Sequence, residues 1–226
     1  MKSYIILFGL AVLSLTVQAQ KSTMTSKKDS DPKAKQILDK LKKQFDGYKT
    51  MEVTFEMELE LPNQPVEKQT GSLIQDQNKY VVKMKDQEIY ADGKTVWIYL
   101  KKNKEVQISD FDGASSSEFM SPKQMMMLYE KGDYVYSIIE ERKVGNQTFT
   151  DIEFKPLTKK SDVAKLRLTV DTKANKMISL RVFSKDGSRY LLKVNSIIPN
   201  KKYETSLFSL NTKTLKGVHI EDLRMD

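Results

Sequence analysis

MEVTFEMELEL, residues 51–61, alternates strictly: Met51, Val53, Phe55, Met57, Leu59 and Leu61 are apolar, and Glu52, Thr54, Glu56, Glu58 and Glu60 lie between them. Successive side chains of a strand point to opposite faces, so the stretch reads as a strand with one dry face and one wet face. The four glutamates belong to the solvent side by the same alternation.

The pattern spreads from there along most of the chain. Tyr80, Val82 and Met84 repeat it, as do Val96, Ile98 and Leu100, then Val106 and Ile108. Tyr134, Tyr136 and Ile138 follow, then Ile152 and Phe154, then Leu166, Leu168 and Val170. Ile178, Leu180 and Val182, and finally Tyr190, Leu192 and Val194, close the series. Turn residues separate the runs: Asp92-Gly93, Gly132-Asp133, Gly145-Asn146, Ala174-Asn175 and Asp186-Gly187. Strands joined by tight turns form an antiparallel meander, here of about ten or eleven strands, and a sheet that large curls or closes.

Two segments break the β rhythm. Asp31-Pro32 opens a helix, with Asp31 as N-cap and Pro32 in the first turn. Ala34, Ile37, Leu38, Leu41 and Phe45 give it one apolar stripe, and Gly47 stops it. Residues 110–117 (DFDGASSS) read as a loop, after which Ser121-Pro122 starts a short helix to about Tyr129 with Met125, Met126, Met127 and Leu128. Upstream, Met1-Lys2, the apolar run Tyr4–Val17 and the small residues before Gln20 read as a signal peptide over residues 1–19. The run is short for a membrane span. Residues 20–30 read as a flexible leader, and 31–226 as one domain.

Composition excludes more than it assigns. There is no cysteine, hence no disulfide framework, no thiolate zinc site and no lipid anchor on the chain itself. The net charge of +8 arises from scattered lysines, whose pairs lack the interleaved aromatics of a nucleic-acid surface. The single histidine, His219, stands in an acidic tail, and no G-x-S-x-G, H-E-x-x-H or phosphate-binding loop is present. No catalytic residue, metal site or cofactor is expected. The eleven methionines are informative, because methionine is flexible and lines surfaces that accept variable apolar partners. Three consecutive methionines on a short helix cannot all face one core, since adjacent residues lie about 100° apart.

Residues 91–107, ADGKTVWIYLKKNKEVQ, resemble the D-G-K-T-x-W-x-Y stretch of the outer-membrane lipoprotein carrier family, the LolA proteins, through Asp92, Gly93, Lys94, Thr95, Trp97 and Tyr99. Gly71-Ser72-Leu73 is similar to the family's early G-x-L strand, and Ile152–Pro156 to its x-L-x-P strand end. Phe208 and Gly217-Val218 resemble its closing motif without the proline. The resemblance implies a mainly β chain with a helical lid, a curved antiparallel half-barrel whose hollow takes lipoprotein acyl chains. It implies acylated lipoproteins as cargo and an inner-membrane ABC transporter of the LolCDE kind as their source, in the periplasm; the outer-membrane acceptor stays open, and a monomer is the simplest shuttle. The residues expected to line the hollow are Val53, Phe55, Met57, Leu59, Tyr80, Val82, Met84, Val96, Ile98 and Leu100. Leu38, Leu41, Met125, Met126 and Leu128 are expected in the lid, with Trp97 and Tyr99 on the outer face. The family's lid-holding arginine is absent, and Gln77 occupies its place as a possible latch, with Lys79 nearby. Another lipid or glycolipid as cargo, or an envelope-stress sensor on the same scaffold, are the competing readings.

Overall fold

The computed structural model describes residues 26–111, 129–130 and 132–224. The expected signal peptide and the residues Met125, Met126 and Leu128 lie outside the described residues. Among the described residues, helix α1 (Pro32–Asp46) precedes a sheet of twelve strands. The first six are β1 (Thr50–Glu60), β2 (Glu67–Asp76), β3 (Lys79–Met84), β4 (Gln87–Ala91), β5 (Thr95–Leu100) and β6 (Glu105–Asp110). The others are β7 (Tyr134–Val144), β8 (Gln147–Pro156), β9 (Val163–Asp171), β10 (Lys176–Ser184), β11 (Arg189–Pro199) and β12 (His219–Asp222). Their order is β12-β6-β5-β4-β3-β2-β1-β11-β10-β9-β8-β7, a curved sheet left open between β12 and β7.

Every neighbour is antiparallel except β12, which runs parallel to β6. The sequence predicts ten or eleven strands and puts His219 in a tail. His219 instead begins β12, with its N–H donating to the Lys104 carbonyl at 2.8 Å. All four β12 residues are exposed, so the strand carries no alternation that could reveal it.

Two long connections link the parts of the sheet. Residues 200–218 leave β11 and cross the outer face, where Phe208 is fully buried with the Lys79 ammonium 6.0 Å from its ring. The connection from β6 to β7 joins opposite sides of the sheet, and both its described ends, Phe111 and Tyr129, pack against the inner apolar cluster.

The register carries apolar residues inward across most of the sheet, whereas on β6 Val106 and Ile108 face outward, opposite Tyr99 and Trp97. Val53 stands opposite Leu73 and Ile197, Leu73 opposite Val82, and Val82 opposite Ile89. Leu192 opposes Leu180, which opposes Leu168, which opposes Ile152. Bulges at Thr54/Phe55, Ile138/Glu140, Met177/Ser179 and Phe183/Ser184 bend the strands and help the sheet curl. The third of these puts Met177 in the core and leaves Ile178, expected to face inward, without a partner in the ladder.

The outer face is a lattice of charge pairs. Glu52 accepts from Lys201 at 2.9 Å and from the Tyr203 hydroxyl at 2.5 Å. Glu58 accepts from Lys193 at 2.6 Å, and Glu60 from Arg189 at 3.0 Å. Glu153, nearly buried, is met by Lys165 at 2.9 Å and Arg167 at 3.1 Å. Burial pushes the Glu153 carboxyl up, and the bonds from Lys165 and Arg167 more than offset this, leaving it below its ordinary value of 4.5. Tyr203 and Lys201 lower Glu52, and Lys193 and Lys68 lower Glu58.

Asp31 anchors α1 twice. Its side chain accepts from the N–H groups of Lys33 at 2.7 Å and Ala34 at 3.3 Å, capping the helix. Its other oxygen accepts from the Ile138 N–H at 3.3 Å, and its own N–H donates to the Tyr136 carbonyl at 2.9 Å. Residues 26–30, expected as the end of a leader, form a 3-10 turn (Lys27–Asp29) beside β7, whose Tyr136 N–H donates to Ser30 Oγ at 3.4 Å.

Asp31→Ala is expected to destabilise the protein by about 1–2 kcal/mol and to raise binding of a hydrophobic dye, checked by urea unfolding and dye fluorescence. Acid should act through the outer face. The carboxyls of Glu52, Glu58 and Glu153 have lower pKa values folded than unfolded, so their stabilisation is complete above about 4.5 and is lost as the pH falls through their folded values. Urea midpoints measured from pH 7 to pH 3 should drop in that acid window, and Glu153→Gln should shrink the drop.

Candidate functional site

The inner face of the sheet is apolar over its central strands, and α1 covers one end of it. Ala34, Leu38, Leu41 and Phe45 are buried against Met51, Val53, Leu73, Tyr80 and the inward residues of β8 and β9. Further along the same strands burial declines. On β1, Met51, Val53 and Phe55 are buried, and Met57 and Leu59 are partly exposed. On β3 the order is Tyr80 and Val82, then Met84; on β5, Val96, then Ile98 and Leu100. On β10 Met177 and Leu180 are buried and Val182 is not, and on β11 Tyr190 reaches 38% exposure. The uncovered residues all point to the end of the sheet carrying the turns at 61–66, 85–86, 101–104 and 185–188. The apolar inward residues are thus buried under α1 at one end and partly exposed at the other, where Glu67, Gln69, Gln87, Glu105 and Gln107 share their face by register.

The residues expected to line the hollow therefore share one face, and they divide into two sets. Val53, Phe55, Tyr80, Val82 and Val96 are occupied by packing within the protein. Met57, Leu59, Met84, Ile98 and Leu100 retain surface toward the open end. Trp97 and Tyr99 sit on the outer face, with Trp97 opposite Tyr90 and Ile108.

Gly71 shapes the floor. It faces Phe55 across the β1–β2 ladder, and a Cβ added there would lie 2.5 Å from Phe55 Cζ and 3.1 Å from the Lys83 carbonyl oxygen. The Phe55 ring thus lies flat across the glycine, where any side chain would lift it into the hollow.

Sequence reasoning misses the ties that hold α1 over its end. The Asn175 side chain donates to Gln44 Oε1 at 2.6 Å and to the Lys40 carbonyl at 3.4 Å. Lys33 pairs with Glu141 on β7 at 2.6 Å. The Tyr129 hydroxyl donates to Asp39 at 2.9 Å while its ring packs edge-on to Tyr136 at 6.0 Å. Burial and the neighbouring Asp39 push the Tyr129 hydroxyl well above its ordinary value, so it stays a proton donor. Gln77 occupies the β2–β3 turn with φ 54°, and its carbonyl accepts from the Gln75 side chain at 3.0 Å. It borders a small pocket with Phe45, Tyr48 and Met51 at the C-terminal end of α1. The aromatic at the end of the Met-rich stretch, Tyr129, is the available signal for the helix tie, whereas Asn175 reads in the sequence only as a turn residue.

The sequence profile of the family described as outer membrane lipoprotein carrier protein LolA matches residues 46–211. The chain belongs to the LolA family. Among solved structures, an uncharacterized conserved protein from Thermus thermophilus has the same fold, with a TM-score of 0.54 at 12% identity over 84% of this chain and 99% of that one. A LolA superfamily protein from Nitrosomonas europaea gives 0.42 at 12% identity, covering 79% and 98%. LprF from Mycobacterium bovis gives 0.44 at 13%, covering 78% and 98%. No curated protein matches the chain in sequence. Among the described residues no helix is long and apolar enough to cross a membrane.

Gly71→Ala is expected to destabilise the protein by about 1–3 kcal/mol through the displaced Phe55 ring. Adding Phe55→Leu should recover part of that loss, which a double-mutant cycle of urea unfolding would measure.

Proposed function

We propose that the protein is a periplasmic carrier of acylated lipoproteins, whose acyl chains occupy the open half of the hollow between Met57, Leu59, Met84, Ile98 and Leu100. The observation that carries this reading is the burial gradient: inward apolar residues of β1, β3 and β5, continuous with the core, that are buried near α1 and partly exposed away from it. A LolA family member with that geometry has a place for a hydrocarbon chain and no need of a reacting group.

The energetics suit a shuttle. Burying acyl chain yields about 0.8 kcal/mol per CH₂, so a 16-carbon chain gains roughly 12 kcal/mol relative to water. A membrane offers the same gain at both ends of the journey. The hollow therefore needs only to approximate a membrane, and methionines, which repack easily, supply that adaptability at Met57 and Met84. Leu38 and Leu41 on α1 form the fixed part of the cover, and Gln77 borders the end at which α1 rejoins the sheet. An inner-membrane ABC transporter of the LolCDE type is the proposed source of cargo, and the carrier works as a monomer after removal of residues 1–19.

Native mass spectrometry of the protein coexpressed with a lipoprotein, and with a version that cannot be acylated, tests the proposal. A one-to-one complex with the acylated form alone is expected. Copurification of phospholipid or glycolipid, with neither lipoprotein form bound, would replace the cargo; binding of both forms equally would remove the acyl chains from the interaction.

A further inference from the structure

A second feature lies at the open end of the hollow. Between the turns at 157–162 and 185–188 is an open depression of about 380 Å³. Its floor is apolar, formed by Pro156, Leu157, Val163 and Ala164. That floor continues into the hollow: Val163 packs against the inner cluster, and Pro156 stands opposite Tyr134, which does the same. Its walls are cationic, Lys159 on one turn and Lys185 on the other.

The two turns are fixed to each other. The Lys185 N–H donates to the Asp162 carbonyl at 2.8 Å, and its ammonium donates to the Lys159 carbonyl at 2.6 Å. The second bond holds one positive charge at the pocket wall while leaving it two further protons to donate. Of the nearby acids, Asp186 is engaged by the N–H and hydroxyl of Ser188, and Asp162 takes part through its backbone. Elsewhere on the sheet cations face carboxylates, as in Lys193–Glu58, Lys101–Glu88 and Arg189–Glu60. Lys159 and Lys185 have no carboxylate within ion-pair distance among the described residues.

An apolar floor running into an acyl-binding hollow, with two uncompensated amines at its rim, matches an amphiphile that is acidic at its head. Resting on the carrier reading above, we infer that this pocket receives an acidic group borne next to the acyl chains of the cargo, a carboxylate or a phosphate. The chains enter the hollow beside Leu59 and Val182, and the acid stops at Lys159 and Lys185. The pocket thereby sets both the depth of the cargo and a preference for acidic heads.

The test measures affinities of the purified exported protein for two matched pairs of probes. One pair is a dipalmitoylated cysteine peptide with Asp or with Asn beside the acylated residue. The other is dihexanoyl phosphatidic acid or dihexanoylglycerol. The Lys159→Gln/Lys185→Gln variant should bind the acid-bearing members roughly threefold to tenfold more weakly, with the neutral members unchanged. The Lys→Arg double variant should keep the preference, and salt should erode it in the wild type. Whichever pair shows the larger preference identifies the acid as a side-chain carboxylate or a lipid phosphate. Equal loss for acidic and neutral members, or no change in any, would overturn the subsite while leaving the carrier reading intact. Failure of the wild type to bind any acyl probe would overturn both.

Discussion

β1 pairs with β2 on one side and with β11 on the other, from Met51–Pro199 to Glu60–Arg189, and this double pairing makes one sheet of two halves of the chain. Strands β2 to β6 and β7 to β11 would otherwise be separate meanders. The inward set of β1 fixes which residues of the neighbouring strands face inward, because register is transmitted residue by residue across the ladders; on β6 the apolar pair Val106 and Ile108 falls on the outer face, beside Tyr99 and Trp97. A one-residue slip at β1 would turn Val53 and Phe55 outward and carry Glu52 and Glu58 into the interior. The ion pairs of Glu52, Glu58 and Glu60 resist that slip from the outer side.

A single-layer sheet of this width has more apolar surface than its own curl can hide. The fifteen residues of α1 span only about 22 Å at 1.5 Å per residue, enough to cover one end. The outer face solves its share of the problem with the segment after β11, which buries Phe208 over β3. The inner face is left with a gradient from Met51 to Leu59. In a protein selected for stability alone such a surface would be filled. Here it is continuous with the proposed place of the cargo. Along β1 the paired glutamates outside and the apolar residues inside are thus two consequences of one alternation.

Much of this is readable in the residues. The strict alternation of 51–61 and its echoes locate most of the strands and, except on β6, where Val106 and Ile108 face outward, most of the inward face, and Asp31-Pro32 locates α1 and its cap. What the pattern does not carry is anything that is not periodic. β12 has no dry face, so His219 looks like tail. The Met177/Ser179 bulge shifts the inward residue from Ile178 to Met177, because one extra residue reverses parity without a mark in composition. The division of the lining into filled and open sets depends on where α1 lies across the sheet, a tertiary fact that no strand records. Asn175 and Tyr129 act on α1 through individual hydrogen bonds, and individual bonds leave no pattern.

The central claim is that acyl chains occupy the open half of the inner face, and methionine methyl NMR addresses it directly, since Met57 and Met84 stand in that half and Met51 and Met177 in the covered half. With ¹³C-methyl methionine and a palmitoylated peptide, the largest shifts should fall on Met57 and Met84, with smaller ones at Met51 and Met177. Saturable binding that leaves Met57 and Met84 unmoved would contradict the claim and place the ligand elsewhere on the molecule.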